Sequence, residues 1–114
     1  MKAYLLYESR TLPVPGERAT LGRKLDNTIV LASKTVSRYH AEIILIDNDY
    51  FLRDLNSSSG TFLNERRIAH TVPIKTGDKI LIAEIELEFI VSDVDLDTSS
   101  KQRTSPLRPS GPKK

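Results

Sequence analysis

The sequence contains no cysteine among its 114 residues. Disulfide bonds, zinc sites built on thiolates and cysteine nucleophiles are therefore excluded. No apolar run approaches the roughly 18 residues that a membrane-spanning helix needs. The N-terminal segment also lacks the long apolar stretch and the small-residue cleavage site of a secretory signal. These absences predict a single cytoplasmic domain, with the nucleus as the alternative location in a eukaryote.

The chain also lacks net charge over most of its length. Residues 1–91 carry 12 basic and 12 acidic residues, whereas residues 92–114 carry five basic and three acidic residues and supply the whole net charge of +2. A nucleic-acid-binding face needs clustered Lys and Arg to contact phosphates. Residues 1–91, which carry no net charge, therefore do not predict a nucleic-acid binder. Any weak contact with polyanions would be made by residues 92–114.

The C-terminal segment, SDVDLDTSSKQRTSPLRPSGPKK, differs in composition from the rest of the chain. It holds three prolines, seven Ser or Thr and few large apolar side chains. Such a segment cannot bury enough apolar surface to offset its ordering entropy. The sequence therefore predicts a folded domain over residues 1–91 and a disordered tail or linker over residues 92–114.

Short β-strands are the only periodic elements that the sequence predicts. In EIELEFI, Ile85, Leu87 and Phe89 alternate with glutamates, which is typical of a strand with one buried face. Other β-branched or aromatic segments are KAYLLYE, ATLGR, TIVLA, HAEIILID, YFLRDL and KILIAE. Turn residues separate them, including a hairpin signature, DND, at 47–49 and TGD at 76–78. Without a helical period, this pattern predicts an all-β sandwich or barrel.

Three predicted loops are rich in hydrogen-bond donors. They are GRK over residues 22–24, ASKTVSRYH over residues 32–40 and NSSSGTFLN over residues 56–64. Hydroxyls, backbone N–H groups and a planar guanidinium suit a bound oxyanion, above all phosphate. A glycine-containing loop can also present successive N–H groups to the remaining oxygens. The sequence therefore predicts an anion site on these loops.

The neighbouring Ser37 and His40 raise the alternative of a hydrolase. No G-x-S-x-G elbow is present, and a triad needs an acid behind the histidine, for which Asp54 is the only candidate. His40 and His70, without cysteine, form no zinc-ligand spacing. The sequence therefore predicts no catalytic residue, no metal and no cofactor. It predicts a buried structural role for His40 and a surface position for His70.

Four motifs, taken in order, resemble the forkhead-associated (FHA) domain family. They are LGR ending at Arg23, SRYH beginning at Ser37, DLNSSSGTFLN, and GD before the final strand pair. The resemblance covers nearly the whole predicted domain, from Tyr4 to Ile90. It implies an FHA-like β-sandwich of about eleven strands that binds phosphothreonine-containing segments of other proteins. The chain is therefore expected to be a signalling module and not an enzyme.

The resemblance assigns roles to individual positions. The expected phosphopeptide contacts are Arg23, Ser37, Arg38, Ser58 and Ser59. The expected structural supports of the site are Gly22, His40, Gly60 and Asn64. Arg23 is similar to the family's phosphate-binding arginine, and Ser37 to the serine whose hydroxyl donates to a phosphate oxygen. Gly22 is expected to let its loop turn closely, and His40 to brace the site from below.

Two positions depart from the family pattern. Ser59 stands where an asparagine usually holds the peptide backbone, and a single hydroxyl replaces an amide that offers both a donor and an acceptor. The missing hydrogen bond is worth about 0.5–1.5 kcal/mol. Peptide binding is therefore expected to be weaker or retuned, while phosphate capture remains. Glu65 replaces a customary glycine after Asn64, which affects the turn more than the contacts.

The expected partner is a phosphothreonine-containing protein or peptide, and the tail supplies two internal candidates. Thr98 stands in DVDLDT and Thr104 in RTSP. A flexible linker holds a tethered ligand at roughly millimolar concentration, so either phosphothreonine would compete with external ligands. The other interpretation of the tail is an ordinary polar linker. The alternative function is a phosphate-independent scaffold that recruits a partner through its sheet face, and the Ser59 departure keeps this alternative open.

Overall fold

The computed structural model describes residues 2–93, and all regular structure within them is β-strand. Eleven strands follow one another along the chain. They are β1 Lys2–Tyr7, β2 Arg10–Val14, β3 Arg18–Gly22, β4 Ile29–Val30, β5 Ala41–Ile46, β6 Asp49–Asp54, β7 Thr61–Leu63, β8 Arg66–Arg67, β9 Val72–Ile74, β10 Lys79–Ile82 and β11 Ile85–Ser92. Over this range no helix has the length and apolar character to cross a membrane. Most of the predicted tail, with Thr98 and Thr104, lies outside the described residues.

The strands form two sheets around one core. The first sheet has six strands in the order β2-β1-β11-β10-β7-β8, and the second has five in the order β4-β3-β5-β6-β9. Neighbouring strands are antiparallel except β3 and β4, which are parallel. The predicted all-β sandwich is therefore confirmed.

Alternation along the strands sends one face of each sheet into the core. On β11, Ile85, Leu87 and Phe89 are buried, as their spacing predicts. Phe89 meets Tyr50 of the second sheet edge-on, with ring centroids 5.2 Å apart. Such an aromatic pair contributes about 0.5–1.5 kcal/mol beyond the area that it buries, so this contact helps to fix one sheet on the other.

The sequence pattern does not single out β2, β7, β8 or β9. Both residues of β8, Arg66 and Arg67, are exposed, so this strand shows no apolar alternation. The strands β2 and β9 each contain a proline and lie at sheet edges, where a missing N–H is tolerated. These short strands form because a neighbouring strand offers hydrogen bonds, which no local pattern reveals.

Two-residue turns close two of the hairpins. Asp47 and Asn48 join β5 to β6 with φ values of 51° and 70°, so the hairpin predicted at residues 47–49 is confirmed. Asn64 and Glu65 join β7 to β8 with φ values of 49° and 74°. Both pairs fit the turn type that matches the twist of a hairpin and requires positive φ at both positions.

Replacing Glu65 by Gly is expected to stabilise the domain. A side chain in the left-handed region costs roughly 1–2 kcal/mol, and the greater freedom of glycine in the unfolded chain offsets about 0.5–1 kcal/mol of that gain. We expect a net gain of about 0.5–1 kcal/mol, or a rise in Tm of roughly 2–8 °C in calorimetry. Glu65→Ala is the control, because it retains the strained φ, and an equal gain from alanine would contradict this explanation.

Candidate functional site: a groove between three loops

The pairing of three strands brings the donor-rich loops together at one end of the sandwich. Leu21 on β3 lies opposite Ala41 on β5, which in turn lies opposite Asp54 on β6. The loop after β3, the loop before β5 and the loop after β6 therefore leave the second sheet at the same end. They enclose a cavity of about 630 Å³, here called the loop groove. Its lining residues are Arg23, residues 34–39, Leu55, Asn56, Ser58 and Ser59.

A larger cavity of about 780 Å³ opens between the edge strands β2 and β4. Arg10 and Glu84 are the charged residues of its lining, and their charges are opposite. The loop groove instead gathers three cationic side chains, from Arg23, Lys34 and Arg38, and no carboxylate. We assign the anion site to the loop groove despite its smaller volume, because charge and hydrogen-bond donors decide anion binding.

Arg23 is held by its own loop in a position that leaves part of its guanidinium open. Its backbone N–H donates to Ser37 O over 3.0 Å, and its Nε–H donates to Val36 O over 2.9 Å. Within residues 2–93 its terminal Nη groups have no hydrogen-bond partner. The bond at Nε orients the planar fork, and the free N–H groups can donate to two oxygens of one anion.

Ser37 lies beside this guanidinium and is held from two sides. Its backbone N–H donates to His40 Nδ1 over 3.0 Å, and its Oγ accepts a hydrogen bond from the Ser58 N–H over 3.0 Å. The hydroxyl hydrogen therefore remains available for an acceptor in the groove. This arrangement also shows that the backbone N–H of Ser58 is occupied, so Ser58 offers only its exposed hydroxyl.

His40 is fully buried beneath the groove, and both ring nitrogens are occupied. Because Nδ1 accepts from Ser37, the proton lies on Nε2, which donates to Gly60 O over 2.9 Å. The ring thus joins the loop before β5 to the loop after β6. Ser37 Oγ makes no hydrogen bond to this ring, so the serine and histidine do not form a nucleophile–base pair.

Asp54 anchors the loop after β6, and it makes no hydrogen bond to His40, which a triad acid requires. Its Oδ1 accepts hydrogen bonds from Ser57 Oγ and Thr61 Oγ1, each over 2.6 Å, and its Oδ2 accepts from Ser57 N. Burial raises the pKa of the Asp54 carboxyl, but the hydrogen bonds from Ser57 and Thr61 outweigh it and hold the pKa below its ordinary value. The charged carboxylate therefore fixes the loop at neutral pH.

Glycine is favoured at positions 22 and 60 for two different structural reasons. A Cβ at Gly22 would collide with the backbone carbonyl of Arg38 and lie 2.8 Å from Asn27 Nδ2, so no side chain fits there. Gly60 has φ of 86°, which favours glycine. Any side chain at Gly22 would push the loop before β5 away from Arg23.

The side chain of Ser59 turns toward the protein. Its Oγ donates to Thr35 O over 3.2 Å, which joins the loop after β6 to the loop before β5. Arg38 differs, because its side chain is exposed and makes no hydrogen bond or ion pair within residues 2–93, while its carbonyl accepts from Asn27 Nδ2 over 2.8 Å. Arg38 is therefore free to meet a ligand, whereas Ser59 acts as a brace in the free domain.

Asn64 does not line the loop groove, although the family pattern groups it with the site. Its Nδ2 donates to Asp78 Oδ1 over 3.0 Å, and its Oδ1 accepts from Lys79 N over 2.9 Å. These bonds join the turn after β7 to the start of β10. Asn64 thus braces a turn outside the groove.

Sequence reasoning did not identify the supporting roles of Asn27 or Glu84. Asn27 is buried and donates to Lys24 O and Arg38 O, and Glu84 accepts hydrogen bonds from Ser33 and Thr35. Their contacts are distant in sequence, so no short motif marks them.

Over the described part of the chain, no group of three or more His, Asp or Glu could hold a metal ion.

Comparison with known proteins shows the fold and the family of this chain. The family model described as FHA domain matches residues 19–83. The transcriptional regulatory protein EmbR of Mycobacterium tuberculosis is 38% identical over 92 residues, which cover 79% of this chain and 24% of EmbR. The chain thus spans about a quarter of the length of this relative.

Two solved structures superimpose closely. EmbR of M. tuberculosis in complex with a low-affinity phosphopeptide matches with a TM-score of 0.79 and 36% identity, over 82% of this chain and 25% of that one. A structure from a study of phosphothreonine-dependent FHA domain interactions matches with a TM-score of 0.76 and 26% identity, over 82% of this chain and 100% of that one. The family model spans more than half of the sequence, and the chain belongs to the FHA domain family.

Proposed function

We propose that this domain binds phosphothreonine-containing segments of partner proteins through the loop groove. The supporting observation is that Arg23 and Ser37 line one groove without carboxylates, where Arg23 has a free guanidinium edge and Ser37 a free hydroxyl hydrogen. Phosphate accepts both kinds of hydrogen bond, and guanidinium–phosphate bonds are about twice as strong as neutral ones. Arg38 and the Ser58 hydroxyl add donors at the rim, and Ser59 is the remaining proposed contact.

The direct test is a titration with one peptide in three forms, carrying phosphothreonine, phosphoserine or unmodified threonine. Binding of the phosphorylated forms alone would support the proposal. Equal binding of the unmodified peptide would contradict it, because the groove donors would then contribute nothing specific to phosphate.

Phosphothreonine is expected to bind more tightly than phosphoserine in a matched peptide. In the family the threonine methyl occupies a small apolar depression, and a buried methyl is worth about 0.8 kcal/mol. We therefore expect roughly fourfold tighter binding of phosphothreonine by isothermal titration calorimetry. Equal affinity would favour a generic anion patch in place of a phosphothreonine site.

The same geometry supports a non-catalytic role. Both nitrogens of His40 are occupied, and the carboxylate of Asp54 is bonded to Ser57 and Thr61. Ser37 therefore has no base to remove its proton. We place the domain in the cytoplasm as a recruiting module. The sequence further predicts that the partner carries a phosphothreonine and that Thr98 and Thr104 of the tail are internal candidates for it.

A second candidate function is a phosphate-independent scaffold, and the outer face of the second sheet favours it. Ile44 lies opposite Phe51, which lies opposite Pro73. Ile46 points to the same face and is 50% exposed. This apolar row would suit an apolar segment of a partner. A partner that still binds the Arg23→Ala variant after phosphatase treatment, and that is lost on Phe51→Ser, would establish this function.

A further inference from the structure

The loop groove holds more positive charge than one phosphate neutralises. Arg23, Lys34 and Arg38 line the groove together with no carboxylate. None of the three forms an ion pair within residues 2–93. A phosphothreonine carries about −1.5 to −2 charges at neutral pH, so roughly one positive charge remains uncompensated when it binds.

This positive character belongs to the groove and not to the domain as a whole. Residues 2–93 contain 12 basic and 13 acidic residues, so their overall charge is slightly negative. A cleft lined by one sign of charge concentrates ligands of the opposite sign. The groove therefore differs from its surroundings in the ligands that it attracts.

Two neighbouring hydroxyls fix the backbone on both sides of Lys34. The hydroxyls of Ser33 and Thr35 both donate to the carboxylate of Glu84. These hydrogen bonds, from Ser33 first and then from Thr35, hold the pKa of Glu84 below its ordinary value. The carboxylate is thus engaged by hydroxyls and makes no ion pair with Lys34.

The two sides of this segment face different cavities. Ser33 and Glu84 line the cavity between β2 and β4, whereas Lys34 lines the loop groove. Arg38 lies four residues further along the same loop, on the other side of Ser37 in sequence, and its carbonyl is clamped by Asn27. Lys34 and Arg38, which precede and follow Ser37 in sequence, therefore offer cations in the same groove as the residue that would receive the phosphate.

We infer that the loop groove selects phosphothreonines that are flanked by acidic residues. This inference rests on the proposed function and specifies its ligand class. The phosphate occupies Arg23 and Ser37, while Lys34 and Arg38 attract carboxylates of neighbouring peptide residues. Exposed ion pairs are individually weak, so the preference is a graded one that salt reduces.

The chain itself contains two threonines that serve as contrasting probes. Thr98 follows three aspartates in SDVDLDT, whereas Thr104 follows basic residues in KQRT. A phosphopeptide with the sequence of residues 92–101 gives the acidic probe. The same phosphopeptide with asparagine at positions 93, 95 and 97 is its matched control, because only the charge differs.

We expect the acidic phosphopeptide to bind roughly tenfold more tightly than its asparagine counterpart at low ionic strength, as two weak ion pairs, with Lys34 and Arg38, would give. The ratio should shrink as salt is added, since the screening length falls to about 8 Å at physiological ionic strength. Fluorescence anisotropy with both peptides at two salt concentrations measures this ratio. The phosphopeptide around Thr104 is expected to bind more weakly than the one around Thr98.

Two variants test the assignment to Lys34. Lys34→Gln should reduce the ratio between the two peptides about threefold, because it removes one of two flanking cations. Lys75→Gln removes the same charge from a residue that pairs with Asp78 outside the groove, and it should leave the ratio unchanged. A loss of preference in both variants would mean that overall charge acts, and would overturn the assignment to the groove.

The outcomes separate this inference from the function on which it rests. Tight, equal binding of the acidic and asparagine phosphopeptides would overturn the acidic preference and leave phosphothreonine binding standing. Failure of both phosphopeptides to bind better than their unphosphorylated forms would overturn the proposed function, and the inference with it.

Discussion

Replacing Arg23 by Ala is expected to remove detectable phosphopeptide binding while the fold survives. Hydrogen bonds to charged groups contribute about 1.5–3 kcal/mol each, so losing a bidentate pair should weaken binding by at least roughly 100-fold. Arg23 is exposed, and within residues 2–93 its side chain makes one hydrogen bond, to Val36 O. The free energy of unfolding should therefore fall by no more than about 1 kcal/mol.

Titration calorimetry and a thermal melt on the same sample separate these two effects. Arg66→Ala is the matched control, because Arg66 is an exposed arginine on β8 outside the loop groove. Arg23→Lys should bind with intermediate affinity, since lysine keeps the charge and loses the planar fork. Undiminished binding by Arg23→Ala would show that the phosphate lies elsewhere.

His40→Ala is expected to have the largest effect on stability. The change leaves the Ser37 N–H and the Gly60 carbonyl without partners in a buried site, and it opens a cavity under both loops. An orphaned buried group costs about 1–3 kcal/mol, so we expect a loss of about 3 kcal/mol and a fall in Tm of roughly 12–24 °C. Phosphopeptide binding should weaken as well, because Ser37 loses its support.

His70→Ala provides the comparison, because His70 is exposed and surface substitutions usually change stability by less than about 0.5 kcal/mol. Chemical denaturation gives the free energy of unfolding of both variants. The variant His40→Gln tests whether a side-chain amide, which can donate and accept hydrogen bonds, restores part of the stability that His40→Ala loses. If His40→Ala were as stable as His70→Ala, the imidazole would not join the two loops in solution.

Much of the fold could be predicted from the sequence because its signals are local. Alternation at Ile85, Leu87 and Phe89 reports which face is buried, and DND at residues 47–49 reports a turn that needs positive φ. The strands that the sequence did not predict, such as β8, lack these local signals. β8 consists of two exposed arginines, and it forms only because β7 pairs with it.

The candidate site was only partly predictable, since its chemistry is local and its geometry is not. The sequence alone placed donors in three loops and, through the family motifs, named Arg23 and Ser37 as phosphate contacts. It treated Asp54 as the only candidate acid for His40 and grouped Asn64 with the site. In the structure Asp54 instead accepts hydrogen bonds from Ser57 and Thr61, and Asn64 donates a hydrogen bond to Asp78.

The sequence by itself determined the β-sandwich class and the family, and it predicted the kind of ligand, because strand alternation, turn residues and short motifs each lie within a few neighbouring positions. Only the tertiary structure decided which atoms are free to bind. Ser59 turns to Thr35, and Glu84 holds the two hydroxyls beside Lys34. The partners in these contacts lie 24 to 51 residues apart in the chain. Strand register and loop packing set such distances, and no local sequence signal carries them.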